Sequence, residues 1–287
     1  MADAPLRATL LVSGPDRPGL VARLTDLVYR NDGDILSADH HFERETGLFF
    51  MRLVWDAGRF RLDRKATAAE IAGLARQLGL ASELTYSDVV QRAGVFASRT
   101  PHCLYDLLLT WQLGELGGDI GLVVSNHGSL EPVARHFGVR YEVTETDPAD
   151  RAATEERQQA LLEEQRIDVV VLARYMQVLS PAFVERWKGR LINIHHSFLP
   201  AFVGAQAYRQ AKERGVKMIG ATAHYVTTEL DQGPIIEQDV VRVSHQDEVE
   251  DYVRKGRDLE REVLTRAVRW HLERRVLVSG DRTIVFA

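Results

Sequence analysis

The sequence has one cysteine, no long apolar run and no surplus of positive charge, and each absence excludes a class of protein. Cys103 by itself cannot form an intramolecular disulfide, which indicates a reducing compartment. A formal net charge of −5 at pH 7 provides no basic field for nucleic acid or an anionic membrane. The sequence contains no run of about 18 apolar residues that could span a bilayer, and the N-terminus lacks the basic and apolar regions of a secretion signal. We therefore expect a cytoplasmic protein without nucleic-acid or membrane partners.

The first part of the chain is predicted to form a small domain of its own. With 287 residues, 45% of them hydrophobic and 27% charged, the chain is long enough for two globular domains. Over residues 7–88 the pattern predicts strand, helix, two strands joined by a hairpin loop, helix and strand. This βαββαβ order predicts a ferredoxin-like domain at residues 1–88. The short link after it, residues 89–92, lacks the Ser or Pro run of a flexible linker.

Residues 89–287 are predicted to form a second domain in which strands alternate with helices. Strands are predicted at 93–97, 120–124, 139–143, 167–172, 191–194 and 216–226. This alternation favours a Rossmann-like, mostly parallel α/β sheet, whose binding sites lie beyond the carboxyl ends of its strands. After Ile236 we predict a long helix over residues 246–273 and a C-terminal hairpin over 276–286, both within this domain.

Two polar residues share one face of the predicted strand that starts at Leu191. Asn193 and His195 alternate with isoleucines, so both side chains point the same way. An unpaired amide in a buried strand would cost about 1 to 3 kcal/mol, so Asn193 must have a specific partner or task. The chain then forms a helix and a strand and returns, which brings Asp231 towards His195. An amide donor, an imidazole and a carboxylate together can polarise a carbonyl and move protons.

Each of these residues also has a purely structural explanation. His195 could be a hydrogen-bonded core histidine, and Asp231, in a Gly-Pro turn, could bond its own backbone. A zinc site would have to use His195, His196 and His224. Adjacent strand histidines point to opposite faces, and no acidic or cysteine ligand has suitable spacing, so we predict no metal and treat His196 as a support residue.

The residues around these positions carry a family resemblance. Asn-Ile-His-His-Ser-Phe-Leu-Pro at 193–200, a His-Tyr-Val strand end and a Leu-Asp-Gln-Gly-Pro turn resemble the formyltransferase domain of folate-dependent enzymes. Asn193, His195 and Asp231 fall on that family's catalytic positions. The doubled histidine, His195-His196, makes this motif resemble in particular the family members that hydrolyse 10-formyltetrahydrofolate to formate and tetrahydrofolate. The resemblance implies formate supply for purine synthesis, balance of the one-carbon folate pool, and no cofactor beside the folate substrate.

The resemblance also implies a folate pocket formed by two loops. Its residues would be Arg174, Tyr175, Met176, Gln177, Val178, Thr228, Glu229, Leu230 and Gln232. A flat ring with donors and acceptors suits an apolar slot edged by backbone groups. Gln177 stands where Arg is usual at one folate-side contact, and Ala207 stands where Pro is expected. The alternative is that Met176 and Val178 are ordinary core residues.

The loop Asp16-Arg17-Pro18-Gly19-Leu20, together with the βαββαβ order, resembles an ACT domain, which in many enzymes senses amino acids at a subunit interface. The candidate effector residues are Asp16, Pro18, Gly19 and Leu20. Free N–H groups at a helix start can bind a carboxylate, and Gly19 permits close backbone approach. Glycine and methionine are the candidate effectors because both exchange carbon with the folate pool, and a homo-oligomer is expected. The alternative is a domain that only dimerises.

Two other functions compete with hydrolysis. One is formyl transfer to an amine such as glycinamide ribonucleotide, and the other is a non-enzymatic sensor of amino acid and folate. A transferase needs a phosphate grip, usually a Gly-rich turn after the first strand of the domain. Residues 97–103 contain no glycine there, and Pro101 lacks an amide donor. This favours water as the formyl acceptor, and the intact Asn193, His195 and Asp231 argue against a sensor.

Overall fold

The computed structural model describes residues 5–145, 151–200 and 207–287, which form two compact units. The first unit contains the chain up to Val90 together with Arg274–Leu277 and Ile284–Ala287, and the second contains Gln91–Glu273 together with Val278–Thr283. The predicted starts of two helices, at Pro148 and Ala205, lie outside the described residues. None of the described helices is both long and apolar enough to cross a membrane.

The first unit is a four-stranded antiparallel sheet with two helices. The elements are β1 (Arg7–Pro15), α1 (Leu20–Arg30), β2 (Asp34–Glu43), β3 (Leu48–Asp56), α2 (Arg64–Leu78) and β4 (Ala81–Tyr86), with sheet order β2-β3-β1-β4. Alternate residues of β1 and β3, such as Leu10 and Met51, pack against Leu24 of α1 and Ile71 of α2. The observed element order is the predicted βαββαβ, while membership of the ACT family stays a prediction.

The C-terminal hairpin has its outer residues in the first unit, while its middle, Val278–Thr283, belongs to the second unit as predicted. Its strands are β12 (Val276–Ser279) and β13 (Arg282–Val285). We predicted it within the second domain, but Leu277, Ile284 and Phe286 share an apolar cluster with Leu11 and Phe50 of the first unit. The physical reason is that β1 and β3 are apolar on both faces, so the face opposite α1 and α2 also needs cover.

The second unit is built on a seven-stranded sheet of order β11-β10-β9-β8-β5-β6-β7. Its strands are β5 (Arg92–Ala97), β6 (Asp119–Ser125), β7 (Tyr141–Val143), β8 (Val169–Ala173), β9 (Leu191–His195), β10 (Met218–Tyr225) and β11 (Ile235–Arg242). Its helices are α3 (His102–Gln112), α4 (Glu131–His136), α5 (Arg151–Glu164), α6 (Pro181–Arg186), α7 (Ala207–Glu213) and α8 (Val249–Leu272). All pairs among β5, β6, β7, β8 and β9 are parallel, whereas the β9–β10 and β10–β11 pairs are antiparallel. The prediction of a mostly parallel sheet is therefore confirmed.

Strand β11 is absent from the sequence prediction. Its segment carries Glu237, Asp239 and Arg242, which interrupt the apolar pattern by which a strand is recognised. As an edge strand, β11 pairs with β10 alone, so one of its sides faces no other strand and tolerates charge.

The topology fixes where a site can form. From β5 the chain continues to β6 and β7 on one side, then crosses to β8 and β9 on the other. Loops that leave β5 and β8 therefore diverge, and the crevice between them is where open α/β sheets bind ligands.

Candidate active site

A cavity of about 330 Å³ lies at the carboxyl ends of β8 and β9. Its walls come from the segment after β8, the end of β9 and the connection between β10 and β11. The lining residues are Leu172, Arg174, Tyr175, Met176, Gln177, Val178, Leu179, Pro181, Val184, Asn193, Ile194, His195, His196, His224, Val226, Thr227, Thr228, Leu230 and Asp231. This is the position expected for a binding site in such a sheet.

The three predicted catalytic residues meet in this cavity. His195 Nδ1 lies 3.3 Å from Asp231 Oδ2. Because β10 pairs antiparallel with β9, its register sets His224 opposite Asn193, and the chain that leaves β10 carries Asp231 back to His195. The structure therefore brings the amide, the imidazole and the carboxylate together, while their catalytic roles stay a proposal.

The contact with Asp231 leaves one nitrogen of His195 available. Since Nδ1 faces the carboxylate, Nε2 is the remaining ring atom, and it is buried without a hydrogen-bond partner among the described residues. The hydrogen bond from His195 lowers the pKa of Asp231, although burial opposes the shift. Asp231 is therefore ionised at neutral pH and can stabilise a protonated His195.

Two residues of the cavity wall have left-handed backbone conformations. The φ angle is 57° at Asp231 and 60° at Arg174. For residues other than glycine this region costs on the order of 1 kcal/mol or more, and such positions cluster at functional sites. The surrounding structure therefore holds both side chains at a conformational cost.

His224 fixes the orientation of the Asn193 amide. Its Nδ1 lies 2.9 Å from the carbonyl oxygen of Tyr225, which can only accept, so Nδ1 carries the proton. Burial lowers the pKa of His224 and keeps the ring neutral. Its Nε2, 3.3 Å from Asn193 Nδ2, therefore accepts one amide N–H, and the second N–H of Asn193 remains for a ligand. From the sequence, His224 is considered only as a member of a possible zinc site, because its tautomer depends on the β9–β10 register.

His196 differs from its predicted placement. We expected it to point away from His195, but β9 ends at His195, so the alternation rule no longer applies to the next residue. Its side chain lines the cavity, and its ring centroid lies 5.1 Å from that of His195.

The turn after β9 is held by a buried threonine that sequence reasoning missed. Thr222 Oγ1 donates to the carbonyl of Ser197 at 2.9 Å and accepts from the backbone N–H of Leu199 at 3.1 Å. Gln238 Nε2 donates to the same hydroxyl at 2.9 Å. Thr222 lies opposite His195 in the β9–β10 pairing, so this network supports the imidazole.

The residues predicted to bind folate divide into two groups. Arg174, Tyr175, Met176, Gln177, Val178, Thr228 and Leu230 line the cavity, whereas Glu229 and Gln232 are not among the described residues that line it. The carbonyl of Glu229 accepts from Thr227 Oγ1 at 3.0 Å and from the N–H of Gln232 at 3.4 Å, so these residues shape the turn that presents Asp231.

The alternative that Met176 and Val178 are core residues is wrong. Met176 is 54% exposed, Val178 60% and Leu230 67%. They form an apolar rim at the cavity mouth, which is the kind of surface that a flat aromatic ligand covers.

One group of metal-ligating side chains converges elsewhere in the described part of the chain. The ligand atoms of His102, Cys103 and Glu260 lie within 4.8 Å of one another. Burial, with a smaller effect of Glu260, raises the pKa of the Cys103 thiol and disfavours the thiolate that a metal needs. Arg174 Nε already lies 3.3 Å from Glu260 Oε2. A cation therefore has no suitable donor set here, and the prediction of no metal stays a prediction.

Comparison with known proteins decides the family. The formyl transferase family model matches residues 91–268. A formyltetrahydrofolate deformylase from Synechocystis sp. is 50% identical over 282 residues, which cover 98% of this chain and 99% of that protein. The chain belongs to the formyltetrahydrofolate deformylase family.

Solved structures agree with this deformylase assignment. The crystal structure of a formyltetrahydrofolate deformylase from Pseudomonas syringae pv. tomato matches with a TM-score of 0.96 and 44% identity, covering 100% of this chain and 96% of that one. A glycinamide ribonucleotide transformylase from Symbiobacterium toebii matches with a TM-score of 0.65 and 34% identity, covering 69% of this chain and 95% of that one. The resemblance to the formyltransferase domain is thus confirmed. The transformylase accounts for only part of the chain, whereas the deformylases match nearly all of it.

Proposed function

We propose that this chain hydrolyses 10-formyltetrahydrofolate to formate and tetrahydrofolate, with Asn193, His195 and Asp231 as the catalytic residues. Membership of the deformylase family supports the reaction. The observation that carries the site assignment is the buried His195 Nε2, which has no partner among the described residues beside a cavity that Asp231 and Asn193 also line. In this role the released formate would serve purine synthesis and balance the one-carbon folate pool.

The residues divide the work of amide hydrolysis. Water attacks the formyl carbon, and the pair of His195 and Asp231 takes up its proton. The oxyanion that forms receives the free N–H of Asn193 and the N–H of the protonated His195 Nε2. The bond from the formyl carbon to the folate nitrogen then breaks, and this nitrogen takes the proton from His195. Ionised Asp231 stabilises the imidazolium between these two proton transfers.

Folate binding is assigned to the cavity mouth. Met176, Val178 and Leu230 offer exposed apolar surface, while Gln177 and Thr228 add polar groups at the same wall. Burial of this apolar surface by the ligand is favourable at roughly 25 cal/mol per Å².

The test of the reaction omits any amine. The protein incubated with 10-formyltetrahydrofolate should release formate and tetrahydrofolate in equal amounts. Glycinamide ribonucleotide, when added, should not become the main product in its formylated form. The Asp231→Asn variant, purified in the same way, is the control for a contaminating hydrolase. Formylated amine as the main product would replace the hydrolase by a transferase, and absence of turnover would favour a sensor.

We further propose that the first unit is an ACT domain that binds glycine or methionine at Asp16–Leu20 within a homo-oligomer and thereby restrains hydrolysis. Helix α1 begins after Gly19, whose φ is 89°, and no described side chain caps its first N–H groups. Asp16 and Pro18 are exposed next to this helix start, so a carboxylate could reach the N–H groups.

Calorimetry and activity assays with each amino acid test this regulation. Binding of the amino acid should change the activity, with a coupling free energy of about 1 to 3 kcal/mol between the effector site and the active site. Gly19→Ala should abolish the response, since a Cβ would block close approach to the backbone. Gly138→Ala is the matched control, because Gly138 also has positive φ and no described atom within 4 Å of an added Cβ. No heat of binding and unchanged kinetics in the unmodified protein would contradict the proposal.

A further inference from the structure

Glu260 is a buried carboxylate that the proposed reaction does not use. It lies on α8, is 1% exposed, and receives three side chains from other elements. His102 Nε2, at the start of α3, lies 2.8 Å from Oε2, and Arg174 Nε lies 3.3 Å from the same oxygen. Tyr208 of α7 donates its hydroxyl to Oε1 at 2.5 Å. Burial opposes ionisation, but these three groups together lower the pKa of Glu260, so it is an anion.

The packing around Glu260 is specific. Gly256 lies one helical turn earlier on α8, and a Cβ there would be 2.1 Å from the Tyr208 hydroxyl oxygen. The glycine therefore makes the space in which the phenol reaches Glu260. With His102 and Arg174 on one oxygen and Tyr208 on the other, both carboxylate oxygens have protein partners.

This cluster of His102, Arg174, Tyr208 and Glu260 borders the reaction cavity at two points, and the loop that leads to His102 contacts a cavity residue at a third. Arg174 lines the cavity itself. The ring of His196, another lining residue, lies 5.8 Å from the ring of Tyr208. On the loop that leads to His102, Ser98 Oγ accepts from the backbone N–H of the lining residue Met176 at 3.2 Å. Glu260 is thus one side chain removed from the cavity, on the side of the loop after β5.

We infer that His102, seated on Glu260, closes the formyl-acceptor side of the cavity and thereby makes water the acceptor. A primary amine that attacks the formyl carbon is bound best where a buried anion accepts hydrogen bonds from its N–H groups. Asp231 already faces His195, whereas Glu260 lies directly behind the lining residue Arg174 and could hold such an amine. The ring of His102 occupies the place beside Glu260 that the amine would need. Water is small enough to reach the formyl carbon without using that place. The inference rests on the proposed function, because it specifies which acceptor that site selects.

The alternative reaction is balanced without a further reagent. The amine nitrogen forms a bond to the formyl carbon and loses one proton, the bond to the folate nitrogen breaks, and that nitrogen gains a proton. The products are an N-formyl amine and tetrahydrofolate. Hydrolysis and transfer therefore compete for one substrate, and the ratio of N-formyl amine to formate measures the choice of acceptor independently of the overall rate.

His102→Ala tests the inference, with glycinamide as the amine probe and the product ratio read by mass spectrometry. Removal of the ring should open the space and expose the anion, which should raise the ratio of N-formylglycinamide to formate by at least about tenfold. The double variant His102→Ala/Glu260→Gln keeps the space without the charge and should return the ratio towards that of the unmodified protein. His136→Ala removes an exposed histidine of α4 and should leave the ratio unchanged.

The outcomes separate this inference from the proposed function. No formate from the unmodified protein would refute the hydrolase. Formate from the unmodified protein, with an unchanged ratio in folded His102→Ala, would refute the closing role of His102. If circular dichroism shows that His102→Ala does not fold, His102→Asn takes its place. Asn is smaller yet keeps an N–H donor for Glu260, so it should give a smaller rise, and an unchanged ratio there would overturn the inference.

Discussion

His195→Ala should lower turnover at least about 100-fold, and Asp231→Asn should have an effect of the same order. The alanine removes the ring that moves the proton, and the asparagine removes the negative charge that stabilises the imidazolium at 3.3 Å. Asparagine is also tolerated in left-handed backbone, so the φ of 57° at position 231 is retained and folding is preserved. The measurement is the rate of formate release by each variant at saturating 10-formyltetrahydrofolate.

The two residues should also act as one unit. The double variant should be about as slow as the slower single variant, because removal of either partner already disables the pair. A loss of turnover in the double variant equal to the product of the two single losses would instead indicate independent roles. Normal turnover in either single variant would refute the site assignment.

A stability measurement serves as the folding control for Asp231→Asn. Since the native pKa of Asp231 is lowered, its charge stabilises the fold at pH values above the ordinary carboxyl pKa, and this contribution is lost as the pH falls through the lowered native value. Denaturant titrations should therefore show the largest difference in free energy of unfolding near neutral pH and a vanishing difference in acid. A difference that grew in acid would contradict this account.

Asn193→Ala should lower kcat by about 10²- to 10³-fold with little change in KM, the loss expected when one oxyanion donor is removed. One N–H of the Asn193 amide donates to His224 Nε2, so only the other is available to the negative charge that develops on the formyl oxygen. Because that charge exists only in the transition state, ground-state binding of folate should be nearly unaffected. Steady-state kinetics of formate release give both constants.

The comparison variant for Asn193→Ala is His224→Ala. It keeps the amide but removes the group that orients it, so the loss in kcat should be smaller than for Asn193→Ala. Both variants leave a buried polar group without its partner, at a cost of about 1 to 3 kcal/mol, so thermal unfolding must show that each is folded under assay conditions. An unchanged kcat in folded Asn193→Ala would remove the oxyanion role.

The sequence by itself determined the features that depend on local periodicity. Alternation along β9 placed Asn193 and His195 on one face, and the structure has both in one cavity. The same kind of pattern predicted the βαββαβ order of the first unit and the mostly parallel sheet of the second. These predictions succeed because side-chain direction in a strand and the apolar face of a helix are set within a few residues.

Only the tertiary structure decided the features that join distant segments. The neutral tautomer of His224 follows from the register of β10 on β9, and the contact of His102 with Glu260 joins residues 158 positions apart. Likewise, Leu277 packs beside Leu11 because β1 and β3 have a second apolar face, which no pattern in the C-terminal segment reveals. Strand register and long-range packing arise from complementarity between whole elements, so a local pattern predicts the element while its partner remains undetermined.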